Sequence, residues 1–194
     1  MRLNLGCGLN KHAGFINVDA SPVCEPDEVV DLERTPWPWA TDSVDEVVFI
    51  HALEHMGQQS GVFLAIMQEL YRVCRHGAGI LIHVPHPRHD HFMNDPTHVR
   101  PITPQMLKLF DRAVTLEKQK GGFSDSPLSL YLDVDFEVTR SEYVLDEPYE
   151  GQLKRGEINQ AQASALVRSH FNVVREIRMQ LTVHKPARTG AASP

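Results

Sequence analysis

The sequence is poor in cysteine and contains no long hydrophobic run. Its three cysteines, Cys7, Cys24 and Cys74, are odd in number and lack the C-x-x-C spacing of metal and redox motifs. This pattern argues against a disulfide framework, so we expect a reducing, cytoplasmic location. No apolar stretch has the length of a membrane span, and no basic and apolar leader opens the chain. We therefore expect no membrane partner.

The sequence also lacks an excess of positive charge and any visible repeat. Its formal net charge is −6 over 194 residues, which argues against non-specific binding of nucleic acid or anionic lipid. The length fits one domain of ordinary size. We predict a single domain over residues 1–185 and a disordered tail over residues 186–194.

The first eight residues predict a short buried strand that ends in a glycine turn. Leu3 and Leu5 are apolar, and Gly6-Cys7-Gly8 follows them directly. Glycine allows the turn and leaves backbone N–H groups accessible to polar ligand atoms. An ordinary strand-to-loop turn would give the same short pattern.

The rest of the chain alternates predicted strands and helices, which indicates an α/β fold with a mostly parallel sheet. Asp19 ends the second predicted strand and Asp31 the third, and ligands bind at this edge of such sheets. A mobile loop is predicted over Leu116–Ser129. The other predicted strands are Asp45–Ile50, Ile80–Val84, Phe136–Leu145 and Val173–Val183, and the predicted helices are Val62–Cys74, one starting at Thr103-Pro104, and Glu157–His170.

Three blocks in the first half of the chain resemble class I S-adenosylmethionine-dependent methyltransferases, and more closely their small type 11 domains. The blocks are the glycine turn with Val18-Asp19 and Asp31-Leu32, then Asp42–Val48 running into His51–His55, and Glu69–Gly79. The resemblance implies a Rossmann-like methyltransferase sheet with an antiparallel last strand, and S-adenosylmethionine as cofactor. It implies cofactor contacts at Gly6, Cys7, Gly8, Asp19, Asp31, Leu32 and His51.

The chain departs from that family at three points. Asn10 stands where a third glycine is usual, and asparagine tolerates the same backbone conformation. Asn4 stands where an acidic residue is frequent. Only about nine residues separate the first two predicted strands, fewer than a parallel crossover needs. We therefore expect the first crossover helices to be short or missing, and one sheet face to need cover from a partner subunit or the C-terminal half.

Histidines are concentrated in two segments. His51-Ala52-Leu53-Glu54-His55 matches the H-x-x-E-H pattern of zinc hydrolases, although it begins at a strand end. The segment between His83 and His98 follows the fifth strand, where an acceptor would bind. Imidazole suits a general base or a metal ligand there. We select His86 and His98 as catalytic candidates, with Asp95 orienting His98, and assign no metal ligand.

The preferred function is methyl transfer to an oxygen or nitrogen of a small-molecule or saccharide acceptor, in a possible homodimer. A nucleic-acid acceptor is disfavoured, because the strand ending at Phe49-Ile50-His51 lacks the Asn/Asp-Pro-Pro-aromatic motif of amino-methylating enzymes. Two alternatives stay open. One is a metal-binding protein or metal-dependent hydrolase that uses the histidines, and the other is a non-catalytic methyltransferase-like binding subunit.

Overall fold

A seven-stranded sheet forms the centre of the protein. A computed structural model describes residues 1–122 and 125–189. The strand order is β3-β2-β1-β4-β5-β7-β6; β7 is antiparallel to both of its neighbours, and the other pairings are parallel. This confirms the predicted fold class. The strands are β1 Arg2–Leu5, β2 Ile16–Asp19, β3 Glu28–Val29, β4 Val44–Ile50, β5 Cys74–Pro85, β6 Phe136–Leu145 and β7 Val174–Val183.

In the described part of the chain the α-helices all follow the fourth strand, and most of them are short. They are α1 Ser60–Val73, α2 Asp90–Met93, α3 Pro104–Leu107, α4 Arg112–Lys120, α5 Leu128–Tyr131, α6 Tyr149–Lys154 and α7 Gln160–Ser169. Within the described ranges, none of these helices has the length and hydrophobicity required to cross a bilayer.

The first crossover contains no helix. Between Leu5 and Ile16, all of which is described, the chain forms only turns, and β1 and β2 are parallel neighbours. An asparagine pair replaces the missing helix on that sheet face: the buried Asn4 amide donates to Asn17 Oδ1 and to the Asn10 carbonyl, each at 2.9 Å. The His12 N–H donates to the same Asn17 oxygen at 2.7 Å. These hydrogen bonds attach the connecting loop to the sheet. The prediction of a short or missing first crossover helix is confirmed.

The long helix α1 packs its apolar side against the sheet core. Its buried residues are Phe63, Ile66, Met67, Leu70 and Val73. The helix was predicted to end at Cys74, but it ends at Val73. It ends there because the carbonyls of Arg72 and Val73 accept from the N–H groups of Asp42 and Ser43. Cys74 already pairs with Val44, so β5 begins there rather than at Ile80.

The predicted mobile loop over Leu116–Ser129 is wrong at both of its ends, which are helical. Helix α4 starts at an Asp111 cap, whose side chain accepts from the Val114 N–H, and it continues to Lys120. Helix α5 starts at Leu128, and the buried Ser129 hydroxyl donates to the Thr115 hydroxyl at 2.8 Å. The cap and this buried contact explain why the two ends of the segment are helical. Residues 123 and 124 of the predicted loop lie outside the described residues.

The predicted tail begins too early. Arg188 contacts three acidic side chains at the start of β6 and at the α4 cap: Asp135 and Asp111 at 2.8 Å, and Glu137 at 3.4 Å. Asp111 and Asp135 are buried, and buried carboxylates require a cation or hydrogen bonds. This requirement fixes Arg188; residues 190–194 of the predicted tail lie outside the described residues.

Candidate functional site

A cavity of about 420 Å³ lies at the carboxyl ends of β1, β2 and β4. This is the edge at which parallel α/β sheets bind ligands, and the volume falls within the range of small-molecule sites. The cavity is lined by Gly6, Gly8, Asp19, Ala20, Val30, Asp31, Leu32, Glu33, His51, Ala52, His55 and Met56. The predicted cofactor residues are thus brought together, with the exception of Cys7.

The glycine turn forms one wall of the cavity with bare backbone. Gly6 has a φ of +68°, and a Cβ there would lie 2.6 Å from the Ala52 Cβ. Gly8 has a φ of +50°, and its N–H donates to Asp19 Oδ2 at 2.9 Å. The Cys7 side chain is buried instead of lining the cavity, and burial raises the pKa of its thiol. The turn therefore leaves space for a ligand and exposes backbone polar groups to it, whereas the Cys7 thiol does not reach the cavity.

Asp19 is fixed by backbone donors on both carboxylate oxygens. The Gly8 N–H donates to Oδ2, and the Ser21 N–H donates to Oδ1, each at 2.9 Å. A carboxylate oxygen accepts more than one hydrogen bond, so this carboxylate can still accept from ligand hydroxyl groups. Its position is set before any ligand binds.

The opposite wall contains Asp31, Leu32 and Glu33. Asp31 is exposed and pairs with Arg34 at 3.0 Å. Leu32 is buried in the core, and its carbonyl accepts from the Trp37 indole. The Glu33 carboxylate accepts from the Gly57 N–H at 2.6 Å. With Asp19, these acids make the cavity wall negative, which favours a cationic ligand.

His51 lies at the end of β4 in a left-handed conformation, with a φ of +51°. Its Nδ1 is 3.7 Å from Glu54 Oε1, and its Nε2 is 2.9 Å from Glu176 Oε2. These carboxylates, Glu54 above all, raise the pKa of His51 against the opposing effect of burial. The chain then forms a single 3₁₀ turn over Leu53–His55. His51 and His55 are therefore not on one helix, and the H-x-x-E-H geometry of zinc hydrolases does not form.

His98 and His55 lie side by side, with ring centroids 4.5 Å apart. His98 Nδ1 is 3.0 Å from the Phe92 carbonyl, which can only accept, so Nδ1 carries the hydrogen and Nε2 keeps its lone pair. Asp95 was predicted to orient His98; it lies 3.9 Å from Nε2, beyond hydrogen-bond distance, so the Phe92 carbonyl sets the tautomer. Asp95 instead accepts from the Thr97 hydroxyl and N–H.

The second catalytic candidate, His86, lines a different cavity of about 540 Å³. Its Nδ1 accepts from the Arg88 N–H at 3.1 Å, so in the neutral ring Nε2 carries the hydrogen. Burial lowers the pKa of His86. The structure thus separates His86 from His98, which the sequence had placed in one group.

Sequence reasoning gave no role to Glu54 or Glu176. Glu54 was visible only as the acid of the H-x-x-E-H pattern, and its burial could not be deduced from that pattern. Glu176 lies 125 positions from His51 in the chain, and only the pairing of β5 with β7 brings it to the site.

No protein-family model matches the sequence, and no curated protein matches it. Solved structures do. A SAM-dependent methyltransferase from Archaeoglobus fulgidus has a TM-score of 0.55 at 19% identity, over 93% of this chain and 85% of that one. A possible histamine N-methyltransferase from Thermotoga maritima has a TM-score of 0.53 at 12% identity, over 95% and 82%.

These likenesses define the fold as that of the class I SAM-dependent methyltransferases. A [4+2]-cyclase, SpnF, also matches, with a TM-score of 0.53 at 14% identity over 94% of this chain and 75% of that chain. A fold can therefore host more than one chemistry, and the reaction must be argued from the site.

Proposed function

We propose that this protein is a methyltransferase that uses S-adenosylmethionine. The observation that carries the proposal is the cavity at the ends of β1, β2 and β4, where Gly6 and Gly8 face Asp19 and Asp31. Several features of that cavity fit this cofactor, and the fold of the neighbours described above supports it.

The cofactor is a cation with a ribose and an adenine, and each part has a suitable partner. The Asp19 carboxylate is positioned to accept from ribose hydroxyls, as in dinucleotide-binding folds. Asp31 can accept from the adenine amino group beside Leu32. The negative wall favours the sulfonium charge, and the side-chain-free Gly6 leaves room for the aminoacyl part.

When bound, S-adenosylmethionine supplies an electrophilic methyl group. The acceptor lone pair forms the new bond to the methyl carbon, and the electrons of the broken carbon–sulfur bond stay on sulfur. The protein must align the acceptor and, for an oxygen acceptor, remove a proton. Of the two candidates, His98 has its Nε2 lone pair available, whereas His86 uses its Nδ1 lone pair on Arg88. The hydrogen-bond pattern therefore favours His98.

We propose a small-molecule or saccharide acceptor, methylated on oxygen or nitrogen. The cavity lined by His86 supports a small acceptor, because it lies at the carboxyl end of β5 and measures about 540 Å³, and an acceptor bound there contacts His86 rather than His98. Its wall includes Arg88, Tyr143 and Arg168, which offer hydrogen-bond donors and an aromatic face.

Binding of S-adenosylmethionine measured by calorimetry tests the proposal. We expect Asp19→Asn to weaken binding by about 1.5–3 kcal/mol, because hydrogen bonds to a charged acceptor are lost. Asp133→Asn serves as a matched control, because it removes an exposed carboxylate that does not line the cavity. Equal affinity in wild type and Asp19→Asn would remove Asp19 from the site. Binding without product formation across a panel of acceptors would favour the non-catalytic alternative.

We propose a single domain that extends to Arg188, a cytoplasmic location and a homodimer. The three free cysteines support a reducing compartment. Val23 and Val29 are exposed beside β3, the edge strand of the sheet, and an apolar edge of this kind supports pairing of two copies. Sedimentation velocity would test the dimer.

A further inference from the structure

A buried carboxylate lies beside two histidines at the rim of the cofactor cavity. The Glu54 side chain is 1% exposed, and neither of its oxygens has a hydrogen-bond partner within the described part of the chain. Its backbone carbonyl accepts from the N–H groups of Val99 and Arg100, which brings the His98 segment against it. An ionised carboxylate in such a position is costly unless a cation compensates it.

Both histidines use Nδ1 for a hydrogen bond to a neighbouring residue. His98 donates Nδ1–H to the Phe92 carbonyl, at 3.0 Å. His55 Nδ1 is 2.9 Å from the Thr97 hydroxyl oxygen, whose own hydrogen is donated to Asp95 at 2.5 Å. His55 Nδ1 must therefore be the donor, and each ring keeps its Nε2 lone pair. Histidines that bind metals are oriented in the same way, by a hydrogen bond from the other ring nitrogen.

We infer that Glu54, His55 and His98 bind one divalent transition-metal ion. Two imidazole nitrogens and one carboxylate are a ligand set suited to Zn²⁺ or Fe²⁺ with coordination positions left open. The ion compensates the buried Glu54 charge, which no hydrogen bond in the described structure does.

The distances require little rearrangement. One ligand atom from each of the three residues lies within 4.8 Å of the others, and Glu54 Oε1 is 3.9 Å from His98 Nε2. Two ligands that are each ~2.1 Å from one ion are at most ~4.2 Å apart. Small side-chain rotations therefore close the site.

The location gives the ion a use. His55 also lines the cavity that contains Gly6 and Asp19, so an ion held by His55 would lie next to that cavity. In a consequence that rests on the proposed function, an acceptor hydroxyl bound there loses its proton more easily. His98 Nε2 has one lone pair, so it can bind the ion or accept a proton from the acceptor, but it cannot do both. The experiment therefore has to distinguish the two roles.

The first measurement is Zn²⁺ binding by chelator-treated protein, followed by calorimetry and by metal analysis after gel filtration. We expect one ion per chain in wild type, and at least about 10-fold weaker binding in Glu54→Gln, His55→Ala and His98→Ala. His91→Ala is the matched control, because His91 is an exposed histidine of the same segment. Equal Zn²⁺ affinity in wild type and the three ligand variants overturns the site, as does equal loss in His91→Ala.

Thermal unfolding gives a second readout that a purely structural role would not produce. Without metal, Glu54→Gln should melt at the same temperature as wild type or higher, because a buried carboxylate without a hydrogen bond is removed and His51 keeps its Glu176 partner. Zn²⁺ should raise the melting temperature of wild type but not that of Glu54→Gln. The inference is overturned if metal-free Glu54→Gln melts well below wild type and Zn²⁺ has no effect on wild type. That result favours a proton shared between Glu54 and a neighbouring histidine in place of the ion.

The two proposals fail in distinguishable ways. S-adenosylmethionine binding by the chelated protein depends on Asp19 and should persist in Glu54→Gln and His98→Ala, because neither side chain lines the cofactor cavity. Zn²⁺ binding without cofactor binding contradicts the proposed function and leaves the metal site intact. With an acceptor in hand, activity that chelator abolishes and added ion restores supports the metal role, and activity indifferent to chelator overturns it.

Discussion

At the scale of single residues, Asn4 shows how one substitution can change the role of a position. The resembling family often has an acidic residue there, which suggests contact with the ligand. In this chain the Asn4 amide is 1% exposed and donates to Asn17 and to the Asn10 carbonyl. An amide fits because both of its partners are acceptors. Asn4 therefore holds the short β1–β2 loop, and it is not among the residues that line the cavity.

Restoring an acid at this position should therefore destabilise the protein. Asn4→Asp places a carboxylate against two acceptor oxygens, and we expect a loss of at least about 1–3 kcal/mol in the free energy of unfolding. Urea denaturation measures this, with the exposed Asn10→Asp in the same loop as a control. A stable Asn4→Asp variant with tighter S-adenosylmethionine binding would show that position 4 faces the ligand.

At the scale of elements, helix α1 organises the irregular Trp37–Trp39 segment. The Glu69 carboxylate accepts from the Trp37 N–H at 2.6 Å and from Arg72 at 2.7 and 2.8 Å. Arg72 in turn donates to the carbonyls of Trp37 and Trp39. These contacts connect a proline-containing loop to the helix and keep both indoles in the core.

This network predicts a pH dependence of stability. The hydrogen bonds from Arg72 and the Trp37 N–H lower the pKa of Glu69 below its ordinary value of 4.5. A lowered folded-state pKa contributes stability above pH 4.5 that is lost as pH falls through the lowered value. We expect Glu69→Gln to lower the free energy of unfolding by about 1–3 kcal/mol at pH 7. We also expect the free energy of unfolding of the variant to fall less than that of wild type when the pH is lowered.

Urea unfolding of wild type and Glu69→Gln between pH 7 and pH 3 measures this difference. Glu117→Gln, on the exposed face of α4, is the control and should run parallel to wild type. If the Glu69→Gln and wild-type curves were also parallel, the Glu69 carboxylate would not be coupled to folding.

At the scale of the whole molecule, Arg188 joins the end of the chain to two distant elements. It contacts Asp135 and Glu137 at β6 and Asp111 at the α4 cap. Burial by itself raises the pKa of Asp135, but the Arg188 hydrogen bonds overcome this and lower it. The residues after the last strand therefore complete the fold.

We expect Arg188→Met to lower the free energy of unfolding by of the order of 3 kcal/mol, because it leaves two buried carboxylates without their cation. Arg155→Met, whose exposed guanidinium pairs with Glu157, should change little. Denaturant unfolding distinguishes the two. A chain ending at Thr189 should retain wild-type stability, whereas a chain ending at Lys185 should match Arg188→Met.

The sequence by itself determined the order of the strands along the chain and the helices α1, α3 and α7, because hydrophobic periodicity and turn residues are local signals. It predicted a loop where α4 ends and α5 begins. Phe136–Leu145 was predicted with its observed bounds, and the start of the helix at Thr103-Pro104 was confirmed by its capping hydrogen bond. The predicted cofactor residues came from the resemblance of three sequence blocks to class I methyltransferases, and all of them except Cys7 line one cavity at the carboxyl edge of the sheet. The roles of these residues stay predictions.

Tertiary structure alone decided which polar groups meet. No local pattern connects His51 with Glu176, or Arg188 with its acidic partners, and folding brings each pair together. Folding also buries Glu54, which its place in the sequence does not indicate. The hydrogen-bond partners that fix the tautomers of His86 and His98 are likewise invisible in the sequence. Hydrophobic patterning specifies which face of an element is buried, whereas the charge and proton states of a site depend on atoms that folding brings within a few ångströms.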